Sequence, residues 1–381
     1  MNITRIIENS ICDKLLKSNK VVILYGARQV GKTTLSNSIM DKLKMKTLSI
    51  NADQIKYADI LSSRDIDKIK GLVDGYELLF IDEAQRIPDI GINLKIITDE
   101  LKLLKLLVTG SSSFELSNNV SEPLTGRSWT FKLFPVAVCE LASFQTPFEL
   151  KNKVSELMVY GSYPEILTTI NTQEKQKLLE EIGLSYLYKD VFQISTIKYQ
   201  RKVQELLKLL SFQIGQEVSI NELSNTLSIS RETVERYLDL LEKSFVIFRL
   251  TGFSNNLRRE VKKTIKFYFY DLGIRNLLID NFKPLEHRND TGHLWENFII
   301  AERMKFLSCT GKRYSSYFWR LQTGAEIDYI EEYDGGLFGY EIKYSKTVER
   351  PPASWSMAYK NSQFQCVNKE NFLEFVSSKP Q

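Results

Sequence analysis

Between about residues 20 and 135, short β-rich runs alternate with longer stretches of helical spacing. VVILY (21–25), KTLSI (46–50), ELLFIDE (77–83), KLLVTG (105–110) and SWTFKLF (128–134) predict five strands. The segments between them are mostly long enough to hold crossover helices, so the alternation predicts a parallel α/β sheet. From about 150 to 250 the apolar positions recur at helical spacing, as in VQELLKLLSF (203–212). Strand patterns return after about 255 in KFYFYD, SYFWR, AEIDYIEEY and LFGYEIKYS. The chain is therefore read as three segments, 1–145, 146–255 and 256–381, without internal repeats.

Composition narrows the class. The 381 residues are 43% hydrophobic and 26% charged, which excludes collagen-like, low-complexity and fully disordered chains. No apolar run approaches the ~18 residues of a membrane span, and LKLLKLLV (101–108) is broken by lysine. No membrane association and no signal peptide are expected. Cys12, Cys139, Cys309 and Cys366 are far apart with no CxxC pair, so neither a zinc site nor a disulfide framework is expected. A reducing, cytoplasmic setting follows. The net charge is +4, yet residues 196–266 hold 13 Lys/Arg against 8 Asp/Glu. That excess points to a polyanionic partner or to an ordinary solvated surface.

Candidate chemistry begins at VVILYGARQVGKTTL, a G-x-x-x-x-G-K-[ST] pattern formed by Gly26, Gly31, Lys32 and Thr33. An apolar strand precedes it, and Leu35, Ile39 and Leu43 mark one face of a following helix. Glycines at these positions let backbone N–H groups approach phosphate oxygens. Ala27, Arg28, Gln29 and Val30 complete the loop, with Thr34 one residue beyond it. Lys32 is expected on the β- and γ-phosphates of ATP and Thr33 on Mg²⁺. ELLFIDEAQ ends in Asp82, expected to hold Mg²⁺ through water, and Glu83, expected to act as general base. An acidic helix cap is the other reading of that pair. KLLVTGSSS brings Thr109, Ser111 and Ser112 to the same strand ends, either to sense the γ-phosphate or to cap the strand.

Residues 217–250, EVSINELSNTLSISRETVERYLDLLEKSFVIFRL, carry a helix-turn-helix pattern. Ser219 with Glu222 forms a capping box, and Leu223 and Leu227 form an apolar face. Ser230 caps a second helix through Val234, Tyr237, Leu238 and Leu241, and FVIFRL supplies a wing strand. That helix presents Arg231, Glu232, Glu235 and Arg236 outward. Arg231 and Arg236 are the candidate DNA contacts, with protein docking as the alternative.

In WRLQTGAEIDYIEEYDGGLFGYEIKYS (319–345), Asp334-Gly335-Gly336 signals a hairpin. Asp328 sits on its first strand, with Glu341 and Lys343 two apart on the second. Two carboxylates and a lysine on such strands can hold a divalent ion beside a phosphodiester. Glu326 shares a face with Asp328 and has no assigned role. His287 and His293 lack triad or metal spacing and read as surface or packing residues.

Taken together, YGARQVGKTTL, LLFIDEAQRIPD, LLVTGSSS, LTGRSWTFKLFPVAVCEL and YGSYPE (160–165) resemble the prokaryotic AAA-like P-loop ATP-binding proteins. Those proteins join an ATPase core to a winged-helix module and a C-terminal PD-(D/E)xK restriction-endonuclease-like domain. The resemblance spans nearly the whole chain. It implies a P-loop NTPase sheet, a helical winged-helix module and a nuclease-like α/β domain. It also implies a metal at Asp328 and Glu341 with Lys343 beside it, and Glu296 in GHLWENFIIAER as an added acidic ligand. The proline that often precedes the aspartate is Ile327 here. The arginine matching Arg127 in LTGR is a candidate finger onto a neighbour's γ-phosphate, hence a homo-oligomer; a surface ion pair is its other reading. Arg28 either meets the phosphates or packs over the nucleotide. The leading expectation is an ATPase whose nucleotide state controls a DNA-directed C-terminal half. The alternatives are an ATP-regulated DNA nuclease and a nucleotide-gated switch that recruits a protein.

Overall fold

The computed structural model describes residues 3–111, 124–183, 200–254, 265–311 and 314–377; Ser112 lies outside them. The chain forms two compact units. Among the described residues, one is 3–135 with the short piece 243–245, and the other is the remainder.

In the first unit, β1 (Val21–Gly26), β2 (Thr47–Asn51), β3 (Leu78–Asp82), β4 (Lys105–Gly110) and β5 (Ser128–Leu133) form a sheet in the order β2-β3-β4-β1-β5. Every pairing is parallel. β1 is buried along its whole length, which is why its sequence is continuously apolar rather than alternating. Helices α1 (Glu8–Lys17) and α2 (Lys32–Leu43) pack beside it, with Ile11 and Leu15 of α1 and Leu35 and Ile39 of α2 buried. The strand order fixes the position of the site. β4 lies between β1 and β3, so the carboxyl ends of these three strands form one edge, where ligands of open parallel sheets bind.

The second unit holds helices and a seven-stranded mixed sheet in the order β12-β11-β10-β9-β7-β8-β6. Its strands are β6 (Glu217–Val218), β7 (Ile247–Gly252), β8 (Ile265–Phe269), β9 (Ser315–Arg320), β10 (Glu326–Tyr333), β11 (Gly336–Ile342) and β12 (Gln363–Val367). β7, expected as a wing, pairs antiparallel with β8 and parallel with β9. One sheet thus runs from the strand after the helix pair into the C-terminal hairpin. Asp334 and Gly335 have φ of 50° and 75°, the left-handed pair that a tight β10–β11 turn requires. The β9–β10 register slips between Ile327 and Ile330. This irregularity re-aims the side chains at Asp328 and Tyr329 relative to a regular ladder.

The YGSYPE stretch follows α3 (Pro147–Tyr160), whose first turn is closed by a Thr146–Glu149 capping box. Ser162 N–H donates to Asp271 at 2.7 Å, and Ser162 carbonyl accepts from Val136 N–H at 2.9 Å. Gly161 has φ 76°, and a Cβ there would lie 2.1 Å from Asp271 Oδ1. Gly161→Ala should therefore cost at least about 2 kcal/mol in urea unfolding. Gly292→Ala, on a helix where a Cβ meets nothing within 4 Å, should be neutral or slightly stabilising. Equal stability of both variants would refute the assignment of that glycine to steric need.

Candidate functional site at the sheet edge

β1 ends at Gly26, where a Cβ would lie 2.3 Å from the Leu133 carbonyl oxygen of β5. The first glycine of the loop is therefore demanded by the neighbouring strand. Gln29 and Gly31 take φ of 59° and 95°, and a Cβ on Gly31 would meet nothing within 4 Å. Space stays open on that side of the loop. Lys32 begins α2 and is buried, and its ammonium donates to the Gly26 and Ala27 carbonyls at 2.9 Å each. Arg28 is half-buried, while Gln29 and Thr34 are exposed.

The strand ends then converge. Thr33 Oγ1 donates to Asp82 Oδ2 at 2.9 Å, and Thr109 Oγ1 donates to Asp82 Oδ1. The same Thr109 hydroxyl accepts the Glu83 N–H at 3.1 Å. Of the three hydroxyls expected on this edge, Thr109 thus aligns the acidic pair. Ser111 is buried and its N–H donates to Gln85 Oε1 at 3.3 Å. Gln85 Nε2 donates to the Glu83 carboxylate, and Glu83 itself has φ 56°. A left-handed glutamate costs roughly 1–3 kcal/mol and marks functional sites. Gln85 stood inside the quoted stretch but was given no role, because nothing local shows that its amide spans two strands. An all-oxygen donor set of one carboxylate and one hydroxyl fits Mg²⁺, which completes its shell with phosphate oxygens and water. Thr33 and Asp82 are the residues that would hold it.

Arg5 was missed altogether. It is buried, and it donates to the Val30 carbonyl at 2.9 Å and the Phe134 carbonyl at 2.6 Å. Arg127 lies at the opposite end of the sheet, where its carbonyl accepts the Val21 N–H at 2.9 Å. Its Nε donates to Asp99 at 2.8 Å, a hydrogen bond that holds the Asp99 carboxyl below its ordinary value. The length of β1, roughly 17 Å at 3.3 Å per residue, separates Arg127 from its own loop.

In the second unit, α4 (Ile220–Leu227) and α5 (Arg231–Lys243) form the expected helix pair. Ser219 accepts from Glu222 N–H and Ser230 from Thr233 N–H. Val234, Tyr237, Leu238 and Leu241 are buried. Arg231 pairs with Glu235 at 3.0 Å, and Arg236 lies 5.5 Å from the Tyr237 ring centroid. Glu232, Glu235 and Asp239 are exposed beside these arginines.

The C-terminal acidic side chains gather around two lysines. Asp328 Oδ2 accepts from Ile342 N–H at 2.8 Å and from Lys343 Nζ at 3.1 Å. Lys343 also lies 2.7 Å from Glu341 Oε1, while the buried Glu341 Oε2 has no hydrogen-bond partner. Glu296, on α6 (Thr291–Thr310), accepts from Tyr268 hydroxyl at 2.7 Å and lies 3.5 Å from Lys266 Nζ. The same Lys266 pairs with Glu326 at 2.5 Å. Among the described residues, no three His, Cys, Asp or Glu side chains are placed to hold a metal ion. Lys266 and Lys343 neutralise the carboxylates. The sequence pattern placed residues on strands but omitted Lys266, which arrives from β8.

Burial pushes the Glu296 carboxyl up to about 7 from 4.5, against the pull of Lys266. Burial and the Asp328 charge raise Glu341 as well. The Lys343 ammonium, despite burial, is held above the usual lysine range by Asp328 and Glu341. A raised carboxyl favours the folded state below its unfolded value and loses that advantage as pH climbs. Stability should thus fall between about pH 4.5 and 7, and Glu296→Gln should flatten that part of the profile. Superimposable urea-midpoint profiles would refute this. Lys266→Met leaves carboxylates buried without their cation and should cost about 3–5 kcal/mol at pH 8, less at pH 5.

Three family models match the chain in succession. The AAA domain family matches residues 18–142, and two domains of unknown function, DUF8612 and DUF4143, match 151–285 and 291–369. An uncharacterized protein of Mycobacterium tuberculosis is 29% identical over 342 residues, covering 88% of this chain and 72% of the relative. One from Methanocaldococcus jannaschii is 26% identical, covering 78% and 69%. Among solved structures, a Walker-type ATPase of Pyrococcus abyssi superposes with TM-score 0.49 and 15% identity, covering 73% of this chain and 96% of that one. The Thermotoga maritima RuvB branch-migration motor gives 0.30 and 19%, covering 64% and 87%. The loop and the strand order give the first unit a parallel sheet typical of P-loop NTPases, and the AAA domain family is what residues 18–142 are similar to.

Proposed function

We propose that the chain is a Mg²⁺-dependent ATPase whose nucleotide state is read by its second unit. The observation that carries this is the hydrogen-bonded chain Thr33–Asp82–Thr109–Glu83 across the ends of α2, β3 and β4. Lys32 would exchange the Gly26 and Ala27 carbonyls for the β- and γ-phosphates, and the loop N–H groups would face the phosphate oxygens. Bound Mg²⁺ supplies charge neutralisation on those oxygens. Glu83 would take the proton of the attacking water as its oxygen bonds the γ-phosphorus and the β–γ bridging bond breaks toward ADP. Gln85 holds the Glu83 carboxylate, so it must yield for the base to turn to water. Because Arg127 lies at the far edge of the sheet from its own loop, a finger role requires the loop of a second copy.

For the reader module, DNA contact through Arg231 and Arg236 is supported by the basic excess of residues 196–266. Protein docking is favoured by a specific observation: the outward face of α5 carries Glu232, Glu235 and Asp239 beside two arginines, one of them paired. An exposed i,i+4 pair is worth only about 0.3–0.5 kcal/mol, so that pairing does not prevent Arg231 from engaging a phosphate.

Phosphate release with Mg-ATP is the direct test. Lys32→Ala should lower turnover by at least about a hundredfold with the fold intact. Glu83→Gln should still bind ATP while failing to hydrolyse it. Turnover at the wild-type rate in both variants would refute the site. On DNA, binding that weakens steeply between 50 and 200 mM salt, and weakens further in Arg231→Ala/Arg236→Ala, supports the nucleic-acid reading. Absence of binding at low salt supports protein docking.

A further inference from the structure

We propose that Arg5 is a positioning residue of the phosphate-binding loop, setting its affinity for a triphosphate from behind. This inference rests on the reading of the loop as an ATP site. A guanidinium is costly to bury unless its N–H groups are satisfied. Arg5 is 7% exposed and spends donors on two main-chain carbonyls, those of Val30 and Phe134. Neither carbonyl belongs to a regular ladder. Val30 lies inside the loop, and Phe134 follows directly on β5.

The geometry of the peptide unit gives this contact its consequence. The Val30 carbonyl and the Gly31 N–H are opposite ends of one planar trans peptide, so they point in opposite directions. A guanidinium that holds the oxygen behind the loop turns the Gly31 N–H toward the front. Space around Gly31 is open, since a Cβ there would meet nothing within 4 Å. The next peptide is also fixed, because the Gly31 carbonyl accepts the Leu35 N–H at 2.9 Å to start α2. The nearby cation further polarises the peptide whose N–H is presented. The loop's last glycine is therefore aimed from both sides, at its φ of 95°.

The second bond ties this device to the start of the loop. Phe134 follows Leu133, which sits in register with Gly26 and whose carbonyl crowds it. One side chain thus clamps the strand beside the first glycine and the peptide before the last. Arg5 is itself held in place. Its carbonyl accepts the Glu8 N–H at 3.1 Å, and Ile7 and Ile11 are buried. Glu8 accepts from Ser38 at 3.2 Å and Lys42 at 3.1 Å, and Asn9 accepts from Lys42 at 2.7 Å, all on α2. The N-terminal segment therefore grips the loop at one point and the following helix at another. Arg5 meets the Val30 and Phe134 carbonyls with two different guanidinium nitrogens; a lysine offers a single nitrogen, so it should replace Arg5 only in part.

The test uses the full chain with Arg5→Ala, Arg5→Lys and Lys32→Ala, comparing equilibrium ATP binding, KM, kcat and nucleotide-free unfolding midpoint. Arg5→Ala should raise Kd and KM for ATP about tenfold, and Arg5→Lys about threefold, with kcat changed less than KM. A merely structural role would lower the unfolding midpoint and the active fraction while leaving KM unchanged. If Arg5→Ala does not fold, Arg5→Lys decides: a raised KM supports the proposal and a wild-type KM overturns it. If Lys32→Ala abolishes ATP binding while both Arg5 variants bind as wild type, this inference alone falls. If wild-type binding is absent or indifferent to Lys32→Ala, the ATP reading fails and takes the inference with it.

Discussion

The first unit depends on the pairing of β1 along both of its edges. Val21 to Gly26 run in register with Ser128 to Leu133 on one side, while Val22 to Tyr25 match Leu107 to Gly110 on the other. A strand so enclosed has its backbone groups satisfied in the sheet and its side chains buried, so the chain must leave sharply at its end. The exit is narrowed further by the Leu133 carbonyl, which admits only glycine at position 26. Loop shape, helix start and the closeness of Asp82 to Thr33 all follow from that enclosure. The chemistry is placed by strand order rather than by the loop alone.

The second unit solves a different problem, that of gathering acidic side chains on one sheet. Glu296, Glu326, Asp328 and Glu341 come from a helix and two strands, and their charges meet Lys266 from β8 and Lys343, which directly follows β11. Such an arrangement is stable only with each cation in place, because removing one partner of a buried pair leaves the other without solvent. Lys266 is the more committed of the two, lying on β8 with its side chain 4% exposed. It links a strand beside the helix pair to the hairpin that carries Asp328.

Much of the site was legible because its signals are local. Gly26, Gly31, Lys32 and Thr33 lie within eight consecutive residues, and the strand endings at Asp82 and Thr109 announce themselves by a change from apolar to polar. The caps Ser219 and Ser230 act within three residues of themselves, and the structure shows both. Arg5 was illegible for the converse reason: its partners are carbonyls 25 and 129 residues away, and a carbonyl carries no residue-type signature. Lys266 read as one position in an apolar strand, since its partner Glu326 is 60 residues distant. The spacing of Asp328 and Glu341 indicated strands correctly, whereas Lys343, expected on the second strand, lies one residue past the end of β11. The spacing was silent on the register slip beside Asp328 and on which cation would neutralise the group.

The side chain of Asn297 completes the hydrogen bonding of β8 where its neighbouring strand stops. β6 covers only the first residues of β8, at Ile265 and Lys266. Beyond it, Gly215 N–H approaches the Phe267 carbonyl at 3.4 Å, and the Asn297 amide donates to and accepts from Phe269 at 2.8 and 2.7 Å. An amide presented this way imitates the backbone of one further strand residue. Asn297 therefore satisfies the buried backbone of β8 from a helix, where β6 has already ended.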